Sequence, residues 1–167
     1  CQGQGDAPPD DTLQAFLSGQ VIDLQGRLNL TNLIDNGQVS EPALQALERL
    51  FAQLDLPAAE LTLLVQQLQA ARRSTTAGNS SGTPPPSQTP DTTPLMPRRV
   101  AQLGALGLSA RSVQRLAPFV TLLPVSTPLN LNTASAEAIH ASIPGLEMAQ
   151  AQALVTQRAQ ACFRSVP

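Results

Sequence analysis

Few side chains in this sequence could do chemistry, and they stand apart. His140 is the only histidine, with neither cysteine at ligand spacing from it, so no metal centre and no histidine-based proton relay is expected. It reads as a partly exposed helix residue. Asp6, Asp10 and Asp11 cluster near the start among glycine and proline, and read as a solvated tail. With no lysine anywhere, a glycine-rich phosphate loop ending in that residue is ruled out. Cys1 and Cys162 lie near opposite ends of the chain. They either remain two thiols or form a disulfide that closes a very long loop, worth about 4 to 5 kcal/mol in the chain-entropy model if the compartment is oxidising. No catalytic residue, no metal ligand set and no cofactor is expected.

One pattern does have the form of a binding site. Ile143-Pro144-Gly145-Leu146 reads as a hairpin between two helices. The first is capped by Asn132 or Thr133, carries Glu137 in its first turn and reaches about Ser142; the second carries Ala149, Ala153, Leu154 and Arg158. This resembles the helix-hairpin-helix motif, whose hairpin amides at a helix N-terminus hold a DNA phosphate, with Gly145 and Leu146 as the contacts. Glu147 argues against that use. It stands where DNA-binding versions have a second glycine, and its carboxylate would repel a phosphate oxygen. Ten arginines against twelve acids give a net charge of −2, so the basic excess that polyanions need is missing. Four phenylalanines, with neither Trp nor Tyr, offer little to stack a base on. A structural module is expected, and no nucleic-acid partner.

The elements that must position these residues are mainly helical. Residues 1–19 read as a flexible segment. From Val21, the apolar Ile22, Leu24, Leu28 and Leu30 alternate with Asp23, Gln25, Arg27 and Asn29, the period of a half-buried strand. Gly26 interrupts the apolar face, which predicts a bulge or the close approach of another backbone. An exit loop follows with Asn36-Gly37 as its turn, ending residues 20–39. Residues 40–73 form a helical hairpin. Ser40-Glu41-Pro42 starts its first helix, Leu44, Leu47, Leu50, Phe51 and Leu54 make one buried face, and Asp55-Leu56-Pro57 breaks the chain. Leu61, Leu64, Val65 and Leu68 stripe the second helix, which ends near Arg72-Arg73.

Residues 74–94 are rich in Pro, Ser and Thr and read as a disordered linker. Residues 95–167 hold a weak repeat: Gly107-Leu108 with Leu116, and Gly145-Leu146 with Leu154, at the same offset. Two helix-hairpin-helix-like modules on one shared core are expected. No stretch approaches the roughly 18 to 20 apolar residues that span a bilayer.

Residues 22–33, Ile-Asp-Leu-Gln-Gly-Arg-Leu-Asn-Leu-Thr-Asn-Leu, and residues 129–135, Leu-Asn-Leu-Asn-Thr-Ala-Ser, resemble the two signature stretches of the general secretion pathway protein K family. Residues 100–103 and 116–124 are similar to the family's link into the second signature. The resemblance makes Asp23, Gln25, Gly26, Arg27, Asn29, Asn32, Asn130, Asn132 and Thr133 structural motif residues. It implies an α+β fold in which a helical, helix-hairpin-helix or SAM-like domain is inserted into a pilin-like α/β part, here incomplete, with residues 20–39 as a pilin-like strand. It implies a non-enzymatic minor pseudopilin at the tip of the type II secretion pseudopilus. Its partners would be other minor pseudopilins, and its place the periplasm, anchored in the inner membrane by an N-terminal helix missing from this sequence. The alternative is a helix-hairpin-helix protein of DNA uptake. Family members usually carry a calcium-binding acidic loop after the second helix. Residues 66–94 of this chain hold Asp91 as their only acid, too few anionic oxygens for a family-type calcium site.

Overall fold

The computed structural model describes residues 18–19, 21–77 and 95–164. Its first regular feature is not the strand that the alternation predicts. The Asp23 side chain accepts the Gln25 N–H at 2.9 Å and folds Leu24–Gly26 into a 3-10 turn, leaving Ile22 53% and Leu24 44% exposed. A short carboxylate that captures a nearby amide offers the backbone an alternative to a ladder. Only Leu28–Asn29 (β1) of this stretch pairs as a strand, and a second 3-10 turn, Leu30–Leu33, buries Leu30, Thr31 and Leu33.

Ile34–Asp35 (β2) and Gln38–Val39 (β3) pair antiparallel around Asn36 and Gly37, at φ 50° and 81°. Both centres are left-handed, the geometry that Asn-Gly supplies best, so the turn falls where expected. Glu41–Gln53 (α1) follows with Pro42 in its first turn and Glu41 at its positive end. Asp55, at φ 51°, and Pro57 reverse the chain into Ala58–Ala77 (α2). This helix runs four residues past Arg73, into the stretch expected as linker; residues 78–94 lie outside the described part.

A 3-10 segment, Val100–Leu106, stops at Gly107, whose φ of 95° is the left-handed conformation that favours glycine. Ala110–Leu116 (α3) starts on Ser109, whose hydroxyl accepts the Ser112 N–H at 3.2 Å. Val120–Thr121 (β4) then pairs parallel with β1, Leu28 against Val120 and Asn29 against Thr121. The cap of Ala136–Ser142 (α4) is Ser135, accepting the Ala138 N–H at 3.2 Å, and not Asn132 or Thr133, which are committed to other partners. Gly145, at φ 75°, turns the chain into Met148–Gln160 (α5).

The main core joins Leu30, Leu33 and Ile34 to Leu47, Leu50 and Phe51 of α1, Leu61, Leu64 and Leu68 of α2, and Leu103, Leu106, Leu108, Leu116 and Val120. A second, small cluster gathers Ala134, Ala138, Ile139 and Ala151, flanked by Leu129, Ile143, Leu146, Leu154 and Val155. The two glycine turns therefore feed different clusters instead of one shared core. Alanine shapes the smaller cluster, its small side chains letting α4 and α5 close on each other, while Ala141 of α4 packs into the leucine core. Arg49 Nε, donating to the Ala141 carbonyl at 2.7 Å, bolts α4 to α1 across the boundary.

Candidate functional site

The motif residues converge on one joint. Asp23 Oδ2 accepts the Thr133 hydroxyl at 2.6 Å and Asn130 Nδ2 at 2.9 Å, while Asn130 N–H donates to the Gln25 carbonyl at 2.8 Å. A Cβ on Gly26 would stand 2.8 Å from the Thr133 carbonyl oxygen, so the glycine marks the close backbone approach that the pattern predicts, not a bulge. Asn132 faces the other way. Its Nδ2 donates to the Phe163 carbonyl at 2.9 Å, its Oδ1 accepts the Phe163 N–H at 2.8 Å, and its own N–H rests on Asn130 Oδ1 at 3.1 Å. Residues 130–133 thus hold residues near both ends of the described body.

The rest of the first stretch is sewn to residues 117–127. Arg27 donates to the Ala117 carbonyl at 3.1 Å. Asn29 is a buried hub: Nδ2 reaches the Val125 carbonyl at 2.8 Å, and Oδ1 accepts the N–H groups of Leu123 at 3.0 Å and Thr31 at 3.2 Å. Asn32 brackets Thr127, donating to its carbonyl at 2.8 Å and accepting its N–H at 3.0 Å. Asparagine suits these places because one amide offers donor and acceptor together to an irregular backbone that has no ladder partner. Thr31, whose hydroxyl donates to the Leu123 carbonyl at 2.6 Å, and Arg158, which donates to the carbonyls of Leu131 and Ala134, belong to the same seam. Sequence reasoning placed neither there; the run Asn-Leu-Thr-Asn was the available signal for Thr31.

The electrostatics fit a joint. The Thr133 hydroxyl and then the Gln25 N–H, with a lesser part from the Asn130 amide, hold the Asp23 carboxyl below its ordinary value against the opposing effect of desolvation. The Thr133 hydroxyl and the Asp23 carboxylate are spent on each other as part of the joint.

Gly145 and Leu146 do form a turn between α4 and α5. Glu147 is the N-cap of α5, its N–H donating to Gln150 Oε1 at 2.9 Å, so a carboxylate stands at the helix start that a phosphate would need. His140 is half-buried in α4, with a buried Nδ1 that has no hydrogen-bond partner. Among the described residues no three His, Cys, Asp or Glu side chains gather as metal ligands; residues 78–94, within the stretch where a family-type acidic calcium loop would stand, lie outside the described residues. Cys162 is exposed; Cys1, its candidate partner, lies outside the described residues. Gly78-Asn79-Ser80-Ser81-Gly82 spells a serine nucleophile elbow, but follows helix α2 where such an elbow follows a strand. Among the described residues no helix is long and apolar enough to cross a membrane.

Residues 26–125 match a family model described as type II secretion system, protein K, and residues 129–167 match a second model of the same description. No curated protein is similar enough to the chain to count as a match.

Proposed function

Because the chain belongs to the type II secretion system protein K family, and so has a role in protein secretion, we propose that it works as a minor pseudopilin at the pseudopilus tip. In this reading the described body is a module carried on a pilin-like part, anchored in the inner membrane, facing the periplasm, and acting by contact with other minor pseudopilins. It catalyses nothing and needs no cofactor.

The observation that carries the reading is the joint. Asp23, near the start of the described residues, bonds Thr133 and Asn130; Phe163, near their end, bonds Asn132. A module inserted into another domain must leave and return at one place, because its two ends continue into a single host. Residues 130–133 bring the two ends there. The test is assembly: the protein with its whole periplasmic region should co-elute with two other minor pseudopilins of the same system, burying more than about 1,000 Å² per stable interface. If it stays monomeric with both at tens of micromolar, the tip role fails. The DNA-uptake alternative gains nothing, since Glu147 occupies the helix start that a phosphate would need.

A further inference from the structure

Five asparagines lie among the described residues, and four of them have their side-chain amides tied down. Asn29 donates to the Val125 carbonyl at 2.8 Å, Asn32 to that of Thr127 at 2.8 Å, Asn130 to Asp23 at 2.9 Å and Asn132 to the Phe163 carbonyl at 2.9 Å. Asn36 stands apart. It is exposed in the β2–β3 turn, and its side-chain amide has no hydrogen-bond partner among the described residues. The residue that follows differs as well: Leu30, Leu33, Leu131 and Thr133 follow the four tied asparagines, whereas Gly37 follows Asn36. Gly37 has no side chain to shield its backbone nitrogen, and no neighbouring atom comes within 4 Å of where a Cβ would stand.

Such a nitrogen can attack the side chain before it. The Gly37 nitrogen loses its proton to solvent and bonds to Asn36 Cγ, the Cγ–Nδ2 bond breaks, and the amide leaves as ammonia, giving a succinimide ring. Water then opens the ring. Cleavage of the new N–Cγ bond leaves aspartate; cleavage of the original peptide bond leaves isoaspartate, in which the main chain runs on through Cβ and Cγ. Ring closure requires Asn36 to leave its left-handed conformation, φ 50°, and the hairpin that holds it there is short, with Ile34 against Val39 and Asp35 against Gln38. So small a ladder opens at low cost. The tied asparagines sit in a seam whose opening breaks several hydrogen bonds together. An extra main-chain carbon does not fit a tight turn whose length sets the register of its strands, and the new carboxylate stands beside exposed Asp35. We propose that Asn36 is a spontaneous modification site, cyclising onto Gly37 and reopening in water to isoaspartate, which undoes the β2–β3 hairpin. The inference is independent of the tip role, because it rests on one turn of this chain.

The test holds the whole purified protein for weeks at mildly alkaline pH, well below its melting temperature, and maps it by mass spectrometry after trypsin. Cleavage at Arg27 and Arg49 leaves Asn29, Asn32 and Asn36 on one peptide, 28–49, so each asparagine is compared with the others in the same molecule. The mass gain of hydroxyl for amide is expected at Asn36 about tenfold or more over Asn29 and Asn32 together, as a mixture of aspartate and isoaspartate. The separated isoaspartate form should melt about 3 °C or more below an Asn36→Asp variant, which carries the same charge on an unlengthened chain. A gain spread over the three asparagines, conversion of Asn36 only after unfolding in urea, or aspartate without isoaspartate overturns the proposal. So does an isoaspartate form that melts with Asn36→Asp, since the hairpin then tolerates the longer chain.

Discussion

Replacing Gly26 by alanine puts the joint under direct load. The new Cβ would lie 2.8 Å from the Thr133 carbonyl oxygen, 2.9 Å from its carbonyl carbon and 2.9 Å from Oγ1. Comfortable contact begins near 3.5 Å, so the Thr133 backbone must retreat by roughly 0.6 Å. That retreat stretches the Asn130 N–H bond to Gln25, now 2.8 Å, and the Thr133 hydroxyl bond to Asp23, now 2.6 Å. Overpacking costs about 1 to 3 kcal/mol, and the strained hydrogen bonds about 1 kcal/mol more. The stiffer unfolded chain of the alanine variant returns up to about 1 kcal/mol. The net loss is about 1 to 4 kcal/mol, or a fall in melting temperature of about 3 to 16 °C at roughly 3 to 4 °C per kcal/mol for a domain of this size. Thermal unfolding followed by circular dichroism measures it. Gly104→Ala is the control, because its Cβ meets nothing within 4 Å, and it should stay within about 0.5 kcal/mol of the parent. Adding Thr133→Ala to Gly26→Ala should not rescue, since the obstacle is backbone. If Gly26→Ala melts within about 2 °C of the parent, the close approach is not there and the reasoning fails.

Asn29→Ala removes the partners of the Leu123 and Thr31 N–H groups and of the Val125 carbonyl, and should cost about 3 kcal/mol or more in urea unfolding. Because the folded state lowers the Asp23 pKa, the stability it contributes is present above the ordinary aspartate value of about 3.9 and is lost as pH falls through the lowered one. The urea midpoint of the parent should therefore drop more between about pH 6 and pH 3 than that of Asp23→Asn, while the lowered Glu60, common to both, contributes equally. Calorimetry should find calcium bound no more tightly than about millimolar; a micromolar site would contradict the reading of residues 66–94.

Sequence reached the joint unevenly, for reasons that trace to particular residues. Gly26 was legible because a glycine breaking an apolar face has few meanings, and Asn36-Gly37 because both positions need positive φ. The strand expected from Val21 was not, since period-two alternation says nothing of an aspartate that captures the amide two residues on. Ser135 lost the cap assignment to Asn132 and Thr133 for a related reason. Those two look like caps in isolation and are spent on Phe163 and Asp23, the latter 110 residues away in sequence, which no local pattern reveals. The two-cluster core was hidden because alanines, which build the smaller one, carry weak periodicity. The helical hairpin came through clearly, its leucine stripes recurring every three or four residues.

The most direct test of the central claim is the distance between the ends of the described body. Nitroxide labels at Val21→Cys, a position 99% exposed, and at the exposed native Cys162, with Cys1→Ser to remove the competing thiol, report it by pulsed electron resonance. Both positions lie within a few residues of the groups held by Asn130, Asn132 and Thr133, so a distribution centred below about 25 Å is expected, against a body roughly 40 Å across. A distribution centred near or beyond that full width would contradict the joint, and with it the insertion of the module at a single place.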